Sequence, residues 1–201
     1  MIVALIDDDD AVLQSLRLLL ERRDMTVHCY ASAEQFLQEL DKNAPNCVVS
    51  DVRMPGLSGV DLQGELKKRD AALPVILITG HGDIAMAVDA IKAGAFDFIE
   101  KPFDDEHLVA SIKLAVEKGA QLRVEQTERA ELEARYAELS PRQREIMDLV
   151  AQGYANKEIA IRLDISPRTV ENYRAWVMEK MAARNLADLV RKAMLLSGGK
   201  P

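Results

Sequence analysis

The sequence has only two cysteines, and it contains no apolar run approaching the roughly 18 residues that a membrane-spanning helix needs. Cys29 and Cys47 each lie inside an apolar run and have no paired spacing, which argues against a disulfide framework or a cysteine-ligated metal site. No signal peptide is recognisable at the start of the chain. These absences predict a reduced protein of the cytoplasm with no membrane partner.

Charge is unevenly distributed along the chain. Residues 1–139 hold 15 Lys and Arg against 26 Asp and Glu, whereas residues 140–201 hold 11 against 7. The 201 residues suffice for two small domains, so the difference suggests an acidic module followed by a basic one. A basic module suits a polyanionic partner. Chance variation in surface charge is the alternative explanation.

Short apolar runs alternate with amphipathic segments over residues 1–103. This alternation predicts parallel βαβ units with helices on both faces of the sheet. Near-continuous apolar strands such as "VILI" fit a sheet that is buried on both sides. The predicted fold is therefore α/β, a doubly wound five-stranded parallel sheet. Its predicted strands are Ile2–Ile6, Thr26–Tyr30, Cys47–Ser50, Val75–Thr79 and Phe96–Ile99.

The rest of the chain is predicted to be helical. No proline interrupts the segment from Glu106 to Leu139, and Gly119 is its one weak breaker. Ser140-Pro141-Arg142-Gln143 forms a capping box, which predicts that a new helix begins there. Three further short helices are predicted to begin at Asn156, Ser166 and Asn185. The domains are thus predicted at residues 1–118 and 139–201, the second a small all-α four-helix domain, with a helical linker at 119–138.

Polar side chains follow the ends of four predicted strands. The carboxyl ends of parallel strands share one edge of the sheet, where ligands collect. Crowded carboxylates are costly unless a cation neutralises them, and oxygen ligands suit Mg²⁺, with Mn²⁺ as a substitute. A metal, a free carboxylate and a lysine together form a site for a phosphoryl group. The residues are Asp7, Asp8, Asp51, Thr79 and Lys101. Each has an ordinary structural explanation by itself, such as helix capping for the acids.

Four stretches, "DD" after the first strand, "SDVRMPGLSG", "ITGHGD" and "FDFIEKPF", resemble the receiver domain of bacterial two-component response regulators, a flavodoxin-like fold. The resemblance implies that Asp51 is the phosphoacceptor and that a sensor histidine kinase is its phosphate donor. It implies Mg²⁺ ligands at Asp7, Asp8, Asp51 and the Arg53 backbone carbonyl. Thr79 and Lys101 are then expected to contact the phosphoryl oxygens, with Thr79 and Phe98 forming a switch. A cis Lys101–Pro102 bond is also implied, and His81 is assigned no role.

Residues 139–194 resemble the LuxR-type helix-turn-helix of FixJ/NarL response regulators, and "NKEIA" and "SPRTVE" fit the FixJ-like group best. The third tail helix is then expected to enter the major groove of double-stranded DNA. Lys157, Arg168 and Lys180 are predicted to contact phosphates, and Asn172 and Arg174 base edges. Glu171 is predicted to read a cytosine or to orient Arg174. The predicted DNA contacts are Asn156, Lys157, Arg168, Thr169, Glu171, Asn172, Arg174 and Lys180.

The predicted function is that of a bacterial response regulator, not an enzyme, in which phosphorylation promotes homodimerisation and binding to promoter DNA. RNA polymerase is a further predicted partner. A metal-dependent phosphohydrolase is one alternative, but it would need a second acid where Arg53 stands. For the tail, the alternatives are an RNA-binding antiterminator module and a helical dimerisation module.

Overall fold

The computed structural model describes residues 1–69, 72–80 and 84–197, so His81 and the last four residues of the chain lie outside the described part. Two compact units divide the chain, Met1–Arg123 and Val124–Pro201. The first contains β1 (Ile2–Ile6), α1 (Asp10–Glu21), β2 (Thr26–Tyr30), α2 (Ala33–Asn43), β3 (Cys47–Asp51), α3 (Gly59–Arg69), β4 (Val75–Thr79), α4 (Ile84–Ala93) and β5 (Asp97–Glu100). The helix α5 (Asp105–Ala137) crosses the boundary between the units.

The five strands form one parallel sheet in the order β2-β1-β3-β4-β5. The predicted α/β class is therefore confirmed. Three strand boundaries differ by one residue from the prediction, because β3 ends at Asp51 and β5 begins at Asp97 and ends at Glu100. Asp51 is still in the ladder opposite Ile78, and β5 extends to Glu100, which pairs with Thr79. The sheet thus carries its polar residues directly to its carboxyl edge.

Each face of the sheet has its own core. On one face, α1 and α5 bury Leu13, Leu20, Leu108 and Ile112 against alternate strand residues. The other face packs against α2, α3 and α4 through apolar side chains that include Phe36, Leu62, Leu66 and Ala90. Successive strand residues point to opposite faces, which is why runs such as "VILI" are apolar throughout.

The first part of α5 lies close to the sheet, and Gly119 explains how. A Cβ atom at Gly119 would lie 2.8 Å from the Ala72 carbonyl oxygen and 2.9 Å from Pro74 Cδ. Only glycine lets the helix approach this loop without displacing its backbone. Gly119 therefore serves as a packing contact within a continuous helix and does not break it.

The second unit contains the end of α5 and four shorter helices: α6 (Pro141–Ala151), α7 (Asn156–Leu163), α8 (Pro167–Lys180) and α9 (Leu186–Leu196). The predicted capping box at the start of α6 is confirmed, because Ser140 and Gln143 bond reciprocally to each other's backbone N–H. Between α7 and α8 the chain turns through Asp164, which has a left-handed φ of 50°. The core of the unit includes Ile146, Ile159, Val170, Val177 and Leu189. Among the described residues, no helix is long and apolar enough to span a membrane.

Candidate functional site

Asp7, Asp51 and Lys101 meet at the carboxyl edge of the sheet. β1 and β3 are neighbours, so Asp7, just beyond β1, comes beside Asp51 at the end of β3. Lys101 follows β5, and its Nζ lies 3.0 Å from Asp7 Oδ2 and 2.9 Å from Asp51 Oδ1. The carboxylates are nearly buried, with 8% and 11% of their side chains exposed, whereas Lys101 keeps 26%. The result is a carboxylate pair bridged by one ammonium group and open to solvent on one side.

Burial and charge oppose each other at this cluster. Burial raises the pKa of Asp7 above its usual 3.8, although the backbone N–H of Asp9 and the ammonium of Lys101 act in the other direction. Burial by itself lowers the pKa of Lys101, but the hydrogen bonds and charges of Asp51 and Asp7 outweigh it and raise the pKa above 10.5. Lys101 therefore remains an ammonium at neutral pH.

The four consecutive aspartates after β1 have different environments. Asp7 belongs to the cluster and accepts the N–H of Asp9 at 3.0 Å, while Asp9 caps α1 by accepting the N–H of Ala11 at 2.8 Å. Asp8 is exposed and makes no hydrogen bond to the cluster among the described residues, and Asp10 is the first residue of α1. The structure thus joins Asp7, and not Asp8, to Asp51.

Asp7 and Asp51 fit a divalent cation by their donor chemistry, because two nearly buried carboxylates converge on one positive charge. Within residues 1–69, 72–80 and 84–197, no three acidic, His or Cys side chains form a metal-binding group. The Arg53 N–H donates to Asp51 Oδ2 at 2.7 Å, so the Arg53 peptide also lies beside this carboxylate. A predicted third carboxylate ligand, Asp8, would have to turn toward the cluster.

The loop after β3 is held by two residues to which the sequence patterns assigned no role. Gly59 donates its N–H to the Val52 carbonyl at 3.1 Å, and a Cβ there would collide with the backbone carbonyl oxygen of Asp51. Glu34 accepts the N–H of Leu57 at 2.8 Å. Both contacts fix the backbone beside the carboxylate. The only sequence signal was the glycine that ends "SDVRMPGLSG".

Thr79 and Phe98 lie on the same face of the sheet. Leu77 pairs with Phe98, and Thr79 stands two residues beyond Leu77 on β4. Thr79 is buried, whereas Phe98 is partly exposed and packs against the core beneath α2, α3 and α4. The Lys101–Pro102 peptide is cis, as the resemblance implied. Thr79 is the last residue of β4, and Phe98 lies within β5.

In the second unit, α7 and α8 form the two helices of a helix-turn-helix. Lys157 and Arg168 lie in the first turns of these helices, are exposed, and have no hydrogen bond or ion pair among the described residues. Asn172 is exposed on the side of α8 opposite the buried Val170, and Glu171 is exposed on the flank between them. Four of the predicted DNA contacts are therefore on the surface of the second unit.

Other predicted DNA contacts already have partners within the unit. Arg174 is half-buried and donates from Nη1 to Asn156 Oδ1, which joins α8 to the start of α7. Lys180 donates to the Glu138 carbonyl at 2.9 Å and to Gln143 Oε1 at 3.1 Å. Thr169 shares a hydrogen bond of 2.7 Å with Ser166, the cap of α8. In this structure these side chains hold the helices together.

Two family models match the chain. Residues 3–113 match the family described as "Response regulator receiver domain", and residues 137–193 match "Bacterial regulatory proteins, luxR family". The transcriptional regulatory protein FixJ of Azorhizobium caulinodans is 48% identical over 96% of this chain and 92% of its own length. Among solved structures, the response regulator StyR has a TM-score of 0.78 and 35% identity, covering 96% of this chain and 97% of its own. Full-length FixJ from B. japonicum has a TM-score of 0.60 and 44% identity, covering 98% and 97%.

Proposed function

The chain belongs to the response regulators that join a receiver domain to a LuxR-type DNA-binding domain, and from this premise we propose that Asp51 is its phosphoacceptor. Such a two-component transcriptional regulator has a histidine kinase and DNA as partners. The proposal rests chiefly on one observation, the contact of Lys101 with the nearly buried Asp51 and Asp7 at the open edge of the sheet. DNA as a partner also favours a location in the bacterial cytoplasm.

Asp51 has the environment of a positioned nucleophile. The Arg53 N–H and the Lys101 ammonium each hold one carboxylate oxygen, which orients the group. An oxygen of Asp51 attacks the phosphorus of a phosphohistidine, and the P–N bond breaks as the new P–O bond forms, with the imidazole leaving on the opposite side. Lys101 moves its charge from the carboxylates to the phosphoryl oxygens, where negative charge accumulates.

Mg²⁺ is the proposed cofactor, with Mn²⁺ as a substitute, and Asp7, Asp8, Asp51 and the Arg53 carbonyl are its proposed ligands. When bound, it supplies positive charge to the phosphoryl oxygens. Asp7 and Asp51 already converge on the Lys101 ammonium, so a divalent cation competes with Lys101 for the same oxygens.

Substitution of Asp51 tests this assignment. After incubation with a small phosphodonor and Mg²⁺, the native chain should acquire a base-labile acyl phosphate, and Asp51→Asn should not. Asp61→Asn is the matched control, because Asp61 is an exposed acid in the first turn of α3 and makes no ion pair with Lys101. Undiminished labelling of Asp51→Asn would refute the proposal. Sustained turnover of phosphate esters would favour the phosphohydrolase.

Phosphorylation is proposed to act through Thr79 and Phe98. The phosphoryl group bonds the Thr79 hydroxyl, and Phe98 then moves into the space beside it, which alters the surface formed by α4 and β5. This shifts the population between two arrangements of one packed element. The partial burial of Phe98 supports the proposal, because part of the ring is not packed against the core.

The altered surface is proposed to form a homodimer. On α4, Val88 and Ile91 are 43% and 46% exposed, although both are large apolar side chains. In gel filtration, the phosphodonor should convert the native chain from monomer to dimer. Ile91→Lys should remain monomeric while still acquiring the phosphate, with Leu18→Lys on α1 as the control for another exposed apolar residue. Dimer formation by Ile91→Lys would contradict this choice of surface.

The second unit is proposed to bind promoter DNA through the N-terminal half of α8, with Lys157, Arg168 and Lys180 toward phosphates and Asn172 and Arg174 toward bases. Asn156, Thr169 and Glu171 complete the proposed interface. The exposure of Asn172 and Arg168 is the support for it. Once bound, the dimer is proposed to contact RNA polymerase. Competition between duplex DNA and an RNA hairpin separates this function from antitermination, since the duplex should compete far better.

A further inference from the structure

Trp176 is the only tryptophan of the chain, and it lies on the surface of α8 with 49% of the residue exposed. Tyr173 meets it edge-on, with ring centroids 5.3 Å apart and an interplanar angle of 90°. The indole N–H has no hydrogen-bond partner among the described residues of the chain. Tyr173 itself packs against the core of the unit, so it braces the exposed ring.

Helix geometry places Trp176 beside the proposed base-reading residues. It follows Asn172 by four residues, which is an advance of about 6 Å along the axis and a rotation of about 40° around it. Asn172 therefore lies on the side of α8 opposite the buried Val170, whereas Trp176 lies on an exposed flank of the helix, about 100° around the axis from the buried Val177. A helix nearly fills the major groove, which is about 12 Å wide. Trp176 lies about one turn beyond Asn172 and is rotated away from it around the helix axis. Its side chain thus faces the wall of the groove.

We infer that Trp176 contacts the sugar-phosphate backbone at the wall of the major groove, donating its indole N–H to a phosphate oxygen and laying its ring against deoxyribose. This inference rests on the proposed DNA binding by α8 and adds a contact that fixes the position of the helix. A backbone contact carries no sequence information, so Trp176 contributes to every duplex alike. Because Tyr173 already contacts the indole ring, less side-chain entropy is lost when Trp176 binds the DNA backbone.

Because Trp176 is the sole tryptophan, its own fluorescence tests the contact in the full, phosphorylated chain. The probe is a duplex that this chain selects from a random-sequence library, carrying a dye so that anisotropy reports binding independently. At saturation, quenching of the tryptophan by acrylamide should fall by at least about twofold, since the exposed face of the ring becomes covered.

The outcomes are separable. No rise in anisotropy refutes the proposed DNA binding. A rise in anisotropy with unchanged quenching overturns the inference about Trp176 alone. A loss of quenching on phosphorylation, before DNA is added, also overturns it, because a second copy of the chain would then cover the ring.

Two substitutions of Trp176 distinguish the contribution of its aromatic ring to DNA affinity from that of its indole N–H. Trp176→Ala should bind selected and scrambled duplexes roughly tenfold more weakly, by the same factor for both, while its thermal unfolding stays unchanged. Trp176→Phe keeps an aromatic ring without the N–H and should lose most of the same affinity. Full affinity in Trp176→Phe, or a loss confined to the selected duplex, would contradict the phosphate contact.

Discussion

The Lys101 bridge is predicted to contribute substantially to the stability of the first unit. Lys101→Met keeps the aliphatic stem but removes the ammonium that lies 3.0 Å and 2.9 Å from two nearly buried carboxylates. At these distances each attraction amounts to about 5 kcal/mol in an effective dielectric of about 20, and desolvation offsets much of it. Removing one partner of a buried ion pair typically costs about 3–5 kcal/mol. Because a quarter of Lys101 remains exposed, we expect a loss of about 3 kcal/mol.

Thermal unfolding without divalent cations at neutral pH measures this loss. A change of that size should lower the Tm of this unit by about 10 °C. Lys68→Met is the matched control, since Lys68 lies 2.7 Å from Glu65 but is 73% exposed, and its Tm should be essentially unchanged. Added Mg²⁺ should stabilise Lys101→Met more than the native chain, because a cation can replace the lost ammonium. A Tm within about 2 °C of the native value would refute the reasoning.

Three further predictions follow from individual contacts. Gly119→Ala should lower the free energy of unfolding by about 1–3 kcal/mol, because its Cβ would overlap the loop before β4. Gly64→Ala is the control, because nothing lies within 4 Å of the new Cβ, and it should raise the free energy of unfolding by about 0.5–1 kcal/mol. Urea titrations measure both variants, and equal effects would contradict this account. Arg174→Ala and Arg168→Ala should both weaken a DNA footprint, but only Arg174→Ala should also destabilise its unit, by about 1.5–3 kcal/mol, because its guanidinium is bonded to α7. The contribution of Asp7 to stability should be complete below pH 3.8 and be lost as the pH rises through its raised pKa. As the pH rises from 3.8 through that raised pKa, Asp7→Asn should therefore gain stability relative to the native chain, and a constant difference between the two unfolding free energies would oppose this.

The run "IDDDD" shows where prediction from sequence reached its limit. Four identical side chains at consecutive positions cannot be distinguished by composition or spacing. In the fold, one is buried beside Asp51, one is exposed, one caps α1 and one begins that helix. The difference arises from where β1 ends relative to β3, which pairing across the sheet decides.

The basic residues of the tail show the same limit. Arg174 and Lys180 were predicted to contact DNA because the third tail helix resembles one that enters the major groove. Folding directs Arg174 to Asn156 and Lys180 to Gln143, residues 18 and 37 positions away. Trp176 had no assigned role because its exposure depends on which side of α8 packs against the other helices.

Local periodicity and short motifs were enough to predict the alternation of strands and helices, the class of the sheet, the capping box at Ser140 and the family. Tertiary structure decided which carboxylates share Lys101, which glycines permit close packing and which side chains of α8 remain exposed. These properties depend on distances between residues far apart in the chain, such as the 94 positions that separate Asp7 from Lys101. Only packing brings such residues within contact.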